Sequence, residues 1–188
     1  MPTPGRMLDS VGGRRTAAMA IDACQHKFTD LALNVFPSHL NRLKSSLHSP
    51  VPMQVFARPR SGPATIALEL GITDPRSGCY VFLARQRPIY VGISRSVLSR
   101  IRQHVLGKTH SDASLAYLMA KRKLTGRGTR EAAMQADDFQ QVFRDAQSDL
   151  KTLSCSFISI PNALELYLFE AFAAMELNTA EWNTFVTH

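Results

Sequence analysis

The sequence predicts an α/β domain: a small three-stranded sheet, mixed or antiparallel, flanked by helices and preceded by an N-terminal helical extension. Three observations carry this reading. Two short apolar runs, Gly78 to Ala84 and Pro88 to Ile93, are joined by the polar triplet Arg85-Gln86-Arg87, the pattern of a β-hairpin. A third run, "LSCSFISIP", alternates apolar and polar residues as a half-buried strand does. Around these runs the apolar residues recur every three or four positions, the period of helices.

Taken in order, residues 1 to about 15 are rich in Gly, Pro, Arg and Ser and read as loose. From about Arg15 to Leu33 the positions Ala17, Ile21, Cys24, Phe28, Leu31 and Val35 predict an amphipathic helix, and "SHLNRLKSSL" a second. The prolines of "HSPVPMQVFARPRSGP" break regularity, and "ATIALELGITD" leads into the hairpin. Ser94 can cap a helix whose buried stripe is Val97, Leu98, Ile101 and Val105. Another helix is expected at "SDASLAYLMAKRK", ended by the loop "TGRGTR". One long helix from about Glu131 to Leu150 follows, through Phe139, Val142, Phe143 and Ala146. The third strand and a last helix, "NALELYLFEAFAAMEL", complete the chain, which divides into an extension (1–75) and a domain (76–188).

A chain of 188 residues suits one packed domain, and 45% hydrophobic with 20% charged residues is ordinary for a globular protein. The longest apolar stretch, Leu164 to Leu177, is too short for a bilayer and holds Glu165, Glu170 and Glu176, so no membrane partner is expected. Three separated cysteines without CxxC spacing argue against disulfides and zinc, and for a reducing, cytoplasmic compartment. "MPTPGRMLDSVGGRRTAAMA" lacks the apolar core of a secretory signal.

The net charge of +7 is unevenly spread. Arg76, Arg85, Arg87, Arg95, Arg100, Arg102, Lys108, Lys121, Arg122, Lys123, Arg127 and Arg130 stand against a single acid, Asp112, whereas Glu131 to His188 holds nine acids against only Arg144 and Lys151. Such a segment is either a solvated basic face or a polyanion-binding one, since neutralising phosphates releases counterions. On the second reading Arg85, Arg87, Arg95, Arg102, Lys108, Lys121, Arg122 and Lys123 contact nucleic acid.

The hairpin is unusual in carrying Gly78, Tyr80, Tyr90 and Gly92, because glycine weakens a strand unless something approaches closely. With equal-parity pairing all four share one face. The phenols then serve packing, or stand between two positions open to a substrate backbone. On the next helix Arg100 and His104 lie one turn apart at the edge of the apolar stripe, where both could reach a phosphate. Glu165, three residues after Asn162, reads as half of a reciprocal helix cap. Glu170 instead projects from an apolar, small-residue face and needs a partner: an arginine, or a hard cation such as Mg²⁺ or Mn²⁺ that keeps most of its waters.

Gly78-Cys79-Tyr80, nine residues, then Tyr90-Val91-Gly92 resembles the paired motif of the GIY-YIG nucleases. That family also carries an arginine about ten residues on, often a histidine one turn later, a glutamate on a late helix and an asparagine beyond it. Arg100, His104, Glu170 and Asn183 fall in that order. The ending "LNTAEWNTFVTH", with Asn183, Phe185 and His188, is similar to a subgroup of small bacterial members. The resemblance spans about Arg76 to His188. It implies a metal-dependent endonuclease cutting phosphodiesters, most often in DNA. Glu170 would hold Mg²⁺ (or Mn²⁺), Arg100 would stabilise the phosphorane, and Tyr80 or Tyr90 would activate water with His104 as a relay. Asn183 would fix the chain end within the site. The alternative is a DNA- or RNA-binding module on the same fold without turnover. Departures are Cys79 for an aliphatic residue, Ile93 where some members have lysine, and an expected inserted helix between Gly126 and Leu150.

Overall fold

The computed structural model describes residues 20–73, 77–126 and 128–185; Ala17, Arg76, Arg127 and His188, singled out above, lie outside them. Ile21–Ala23 form a 3-10 turn and not part of a helix, because Asp22 and Ala23 take positive φ of 49° and 56°. The first helix starts later: α1 (Phe28–Asp30) runs through a π-helical turn, Leu31–Val35, into α2 (Phe36–Ser46). Pro37 accounts for the wide turn. It lacks an N–H and crowds the carbonyl four residues back, and just before it the Phe36 N–H reaches five residues back to Leu31 O.

Next come β1 (Val51–Pro52), α3 (Gln54–Ala57) and α4 (Pro63–Glu69), where irregular chain was expected. The hairpin is β2 (Gly78–Ala84) and β3 (Arg87–Ser94). It closes on two residues, Arg85 and Gln86, both at positive φ (49° and 66°), the twist that suits a two-residue hairpin. Ile89 is an extra residue: Phe82 faces Tyr90 but Leu83 faces Pro88, which makes a β-bulge.

Helix α5 (Val97–Leu106) starts after Ser96, not Ser94. Ser94 ends β3, and its hydroxyl accepts from the Ser96 N–H at 2.9 Å. Helix α6 (Ser114–Lys123) begins three residues into its expected range. The single long helix expected next is two, α7 (Arg130–Gln135) and α8 (Asp137–Lys151), broken where Ala136 turns extended (ψ 127°). Strand β4 (Ser154–Ser159) and α9 (Ala163–Glu176) follow, the latter capped by Asn162, whose Oδ1 accepts from Glu165 N–H at 3.0 Å. The Glu165 carboxylate does not return the cap; it turns to His39, 3.5 Å away.

The sheet therefore has four strands, not three, in the order β1-β4-β2-β3, all antiparallel. β1 is two residues long and contains a proline, too little for an alternating pattern to register in the sequence. Helices cover both faces. Tyr80, Phe82 and Cys155 pack with Leu98, Ile101, Phe139 and Phe143, while Cys79, Val81, Val91 and Ile158 pack with Leu40, Leu43, Leu166 and Phe169. The stretch expected as an extension thus supplies one strand and part of a helical layer. Its stripe Leu31, Phe36, Leu40, Leu43 buries against α9, with the Phe36 and Phe169 ring centroids 6.0 Å apart. Each such side chain contributes about 1.5–3 kcal/mol of transfer free energy. All three cysteines are free, buried thiols. Among the described residues no helix is long and apolar enough to cross a membrane.

Candidate functional site

The register sets Tyr80 opposite Gly92, Gly78 opposite Ser94 and Tyr90 opposite Phe82. Gly78, Tyr80, Tyr90 and Gly92 share one face, with the phenol rings diagonal and 6.3 Å apart between centroids. The glycines, however, leave no opening for a substrate. A Cβ on Gly92 would lie 2.4 Å from both Cζ and the hydroxyl oxygen of Tyr80, so Gly92 is the seat of the Tyr80 ring. A Cβ on Gly78 would lie 2.1 Å from Ile158 O, so Gly78 lets β4 come close. Both glycines belong to the packing of the site and not to its mouth.

Helix α5 lays His104 against this face. Its ring meets those of Tyr80, Phe82 and Tyr90 at centroid distances of 5.7, 5.0 and 5.7 Å. His104 is fully buried, and its Nε2 lies 2.8 Å from the Tyr80 hydroxyl. Nδ1 has no partner among the described residues. A proton on Nδ1 would be a buried, unpaired donor, so the proton belongs on Nε2, donated to the Tyr80 oxygen. Burial, helped by the Arg100 charge, holds the imidazole well below its ordinary pKa, hence neutral. The sequence placed His104 at the edge of the apolar stripe, where it could reach a phosphate; in the structure it sits inside that stripe, against the Tyr80 hydroxyl.

Arg100, one turn earlier, keeps an outward edge but is firmly held. Its Nη1 donates to Ser111 O (2.9 Å), Asp112 O (2.8 Å) and Gln103 Oε1 (3.3 Å), and its Nη2 to the Ser114 hydroxyl (2.9 Å). The loop between α5 and α6 thus fixes the guanidinium in one position. Ser114 is a member of the site that the sequence did not single out. Its only signal was a hydroxyl at the start of α6, a commonplace.

Glu170 reaches the cluster from α9. It is half-buried, and burial raises its pKa against the opposing charge of Arg100. Among the described residues no hydrogen bond or ion pair engages its carboxylate, and no set of three or more His, Cys, Asp or Glu is arranged to hold a metal. The donor set is one carboxylate, which fits a hard cation completed by water and phosphate oxygens but not a protein-caged metal. Tyr80 is 1% exposed and its phenol is pushed well above its ordinary pKa, first by burial and then by Tyr90. Tyr90 is raised by burial and by Glu170, with Arg100 opposing. Of the two tyrosines Tyr90 is the less covered, half-buried where Tyr80 is buried.

Asn183 holds the chain end on edge strand β3: Oδ1 accepts from Val91 N–H (2.9 Å) and Nδ2 donates to Val91 O (2.8 Å). The basic residues divide. Arg85, Arg87 and Arg95 are exposed at the two ends of β3, and Lys121, Arg122 and Lys123 end α6. Arg102 instead donates to Phe56 O (2.8 Å) and Arg58 O (3.2 Å), bracing α3. Glu181 lies 3.5 Å from both Arg87 and Arg122, and Arg122 also stacks 3.8 Å over Trp182. Lys123 lies 3.9 Å from Asp149, and Lys108 rims a cleft beside α8. Comparison of the chain with protein-family models, with curated proteins and with solved structures gave no match.

Proposed function

We propose that the protein is a metal-dependent endonuclease of the GIY-YIG kind, hydrolysing phosphodiester bonds of nucleic acid, most often DNA. The observation that carries the reading is the convergence of Tyr80, Tyr90, Arg100 and Glu170, from a hairpin and two helices far apart in the chain, around a half-buried carboxylate that no hydrogen bond or ion pair engages among the described residues. Glu170 would hold Mg²⁺ (or Mn²⁺), which supplies charge neutralisation at the scissile phosphate and leaving oxygen. Arg100, held rigidly by Ser111, Asp112 and Ser114, would aim its charge at the phosphorane without reorganising. Tyr90 would orient the attacking water, while Tyr80, fixed by His104, keeps Tyr90 in place. Arg85, Arg95, Lys108 and Lys121, exposed and without an ion pair among the described residues, would carry the strand by counterion release.

One observation favours a second reading, a nucleic-acid-binding module without turnover. Both Arg100 terminal nitrogens already donate to protein oxygens, as a purely structural arginine's would. Incubating the protein with labelled duplex, flap, fork and single-stranded substrates in Mg²⁺, Mn²⁺ or EDTA separates the two. Metal-dependent cleavage abolished in Glu170→Ala supports the nuclease; binding without cleavage of any substrate supports the module.

A further inference from the structure

Helices α7 and α8 come from the segment that exceeds the family core. Between them and the loop from Gly107 to Ala113 lies a cleft of about 660 Å³, a size suited to a small organic ligand. The loop is a stiff partition. Gly107 lies so close to Asp112 that an added Cβ would come within 2.3 Å of the Asp112 Cβ. Gln147 Nε2 of α8 donates to Gly107 O at 2.8 Å, and Thr109 and Asp112 exchange hydrogen bonds. Ser111 lines the cleft with its residue surface while its carbonyl accepts from Arg100, so the cleft and the candidate site share this loop.

The chemistry of the cleft is that of a nucleotide pocket. Met134 provides apolar area, with the edge of the largely buried Phe143 behind it. Lys108 is exposed, and among the described residues it has no ion pair and Arg144 donates only to the neutral amides of Gln140 and Gln141. The cleft's one carboxylate, Glu131, lies 3.6 Å from His110. Among the described residues neither Lys108 nor Arg144 makes an ion pair, and two such cations against the single carboxylate of Glu131, beside an apolar floor, suit a phosphate joined to a flat ring. We propose that this cleft takes one nucleotide of the strand whose backbone reaches Arg100, its base against Met134 and Phe143 and its phosphate on Lys108 and Arg144. The proposal rests on the nucleic-acid reading above and assigns the inserted helices the task of gripping the strand beside the cut.

The test uses the full chain in EDTA, where nothing is cut, and a labelled single-stranded oligonucleotide with one abasic residue moved along it. For the wild type, removing the base at one or two positions should weaken binding about tenfold, the order of one base's stacking. In Lys108→Glu/Arg144→Glu, both exposed positions, the intact oligonucleotide should bind at least tenfold more weakly and the positional effect should disappear, with an unchanged melting temperature. An identical abasic profile in wild type and variant would overturn the cleft proposal, and metal-dependent cleavage by the same preparations would leave the nuclease reading standing. A free nucleoside monophosphate that binds the cleft without competing with the oligonucleotide would also overturn it. No binding of any oligonucleotide by the wild type would remove both readings.

Discussion

The Tyr80 hydroxyl and Nε2 of His104 lie 2.8 Å apart at the centre of the candidate site, in a setting where His104 is fully buried and Tyr80 1% exposed. An imidazole in that position is useful only while neutral, because a proton on Nδ1 would find no acceptor among the described residues. The pair therefore ties the integrity of the site to pH.

The protein should lose stability as pH falls below about 6.5, the value for an unperturbed histidine. The unfolded chain then protonates His104, while the folded chain, its pKa depressed by burial and by Arg100, does not. Protons bound by the unfolded state alone make stability rise with pH, by at most about 1.4 kcal/mol per pH unit for one group. His39, also lowered by burial, acts in the same direction. Denaturant titrations of wild type and His104→Gln at pH 7.5 and 5.5 isolate the term: the wild type should lose more on acidification, and parallel losses would contradict the assignment.

Gly92→Ala should destabilise by about 1–3 kcal/mol, the usual result of overpacking. Its Cβ would stand 2.4 Å from the Tyr80 ring, so the ring must leave His104. In a Tyr80→Ala background the same substitution should be nearly harmless, and this coupling distinguishes a seat for Tyr80 from a general intolerance of alanine in β3. Equal effects in both backgrounds would argue against it.

These two residues also illustrate what the sequence could and could not convey. The alternation around Tyr80 and Tyr90 identified the hairpin and the shared face, because a period of two survives any packing partner. That Gly92 serves Tyr80 depends on how a ring leans across to the neighbouring strand, which no one-dimensional pattern encodes. The stripe of α5 was legible in a like way, through the 3.6-residue period of a helix. The break at Ala136, the π turn ahead of Pro37 and the two-residue β1 were not, since each rests on one or two residues whose conformation is set by tertiary contacts. Likewise Arg100 and Glu170 stood out as chemistry, whereas the carbonyls that hold Arg100 arise only when the loop folds back.

Asn183→Ala should open the outer edge of the sheet. Val91 would lose partners for both its N–H and its C=O, at a cost of about 2 kcal/mol or more. Hydrogen exchange reads this directly: the Val91 amide should lose protection while the hairpin interior keeps it. Asn183→Asp retains the acceptor but sets a carboxylate against Val91 O, so it should be destabilised at neutral pH and recover partly once the acid is protonated. An unchanged exchange rate at Val91 in Asn183→Ala would mean that the chain end is held by other contacts.

Arg100 and Glu170 separate catalysis from binding. Glu170→Ala removes the proposed metal-holding carboxylate and a negative charge near the strand, so cleavage should vanish while affinity for nucleic acid is kept or raised. Arg100→Ala should slow turnover by roughly 10² to 10³, the effect of losing one transition-state donor. It should also lower stability by about 1–3 kcal/mol, because the Ser111 and Asp112 carbonyls lose a charged donor. The pH profile gives a third readout. At limiting Mg²⁺, where protonation of Glu170 competes with the cation, burial raises the Glu170 pKa and Arg100 opposes that rise, so the acid limb of the rate profile should be shifted upward. In Arg100→Ala the residual activity should show that limb moved still higher, as the charge favouring the carboxylate is gone. An acid limb that does not move would uncouple the two residues and assign Arg100 to the loop alone.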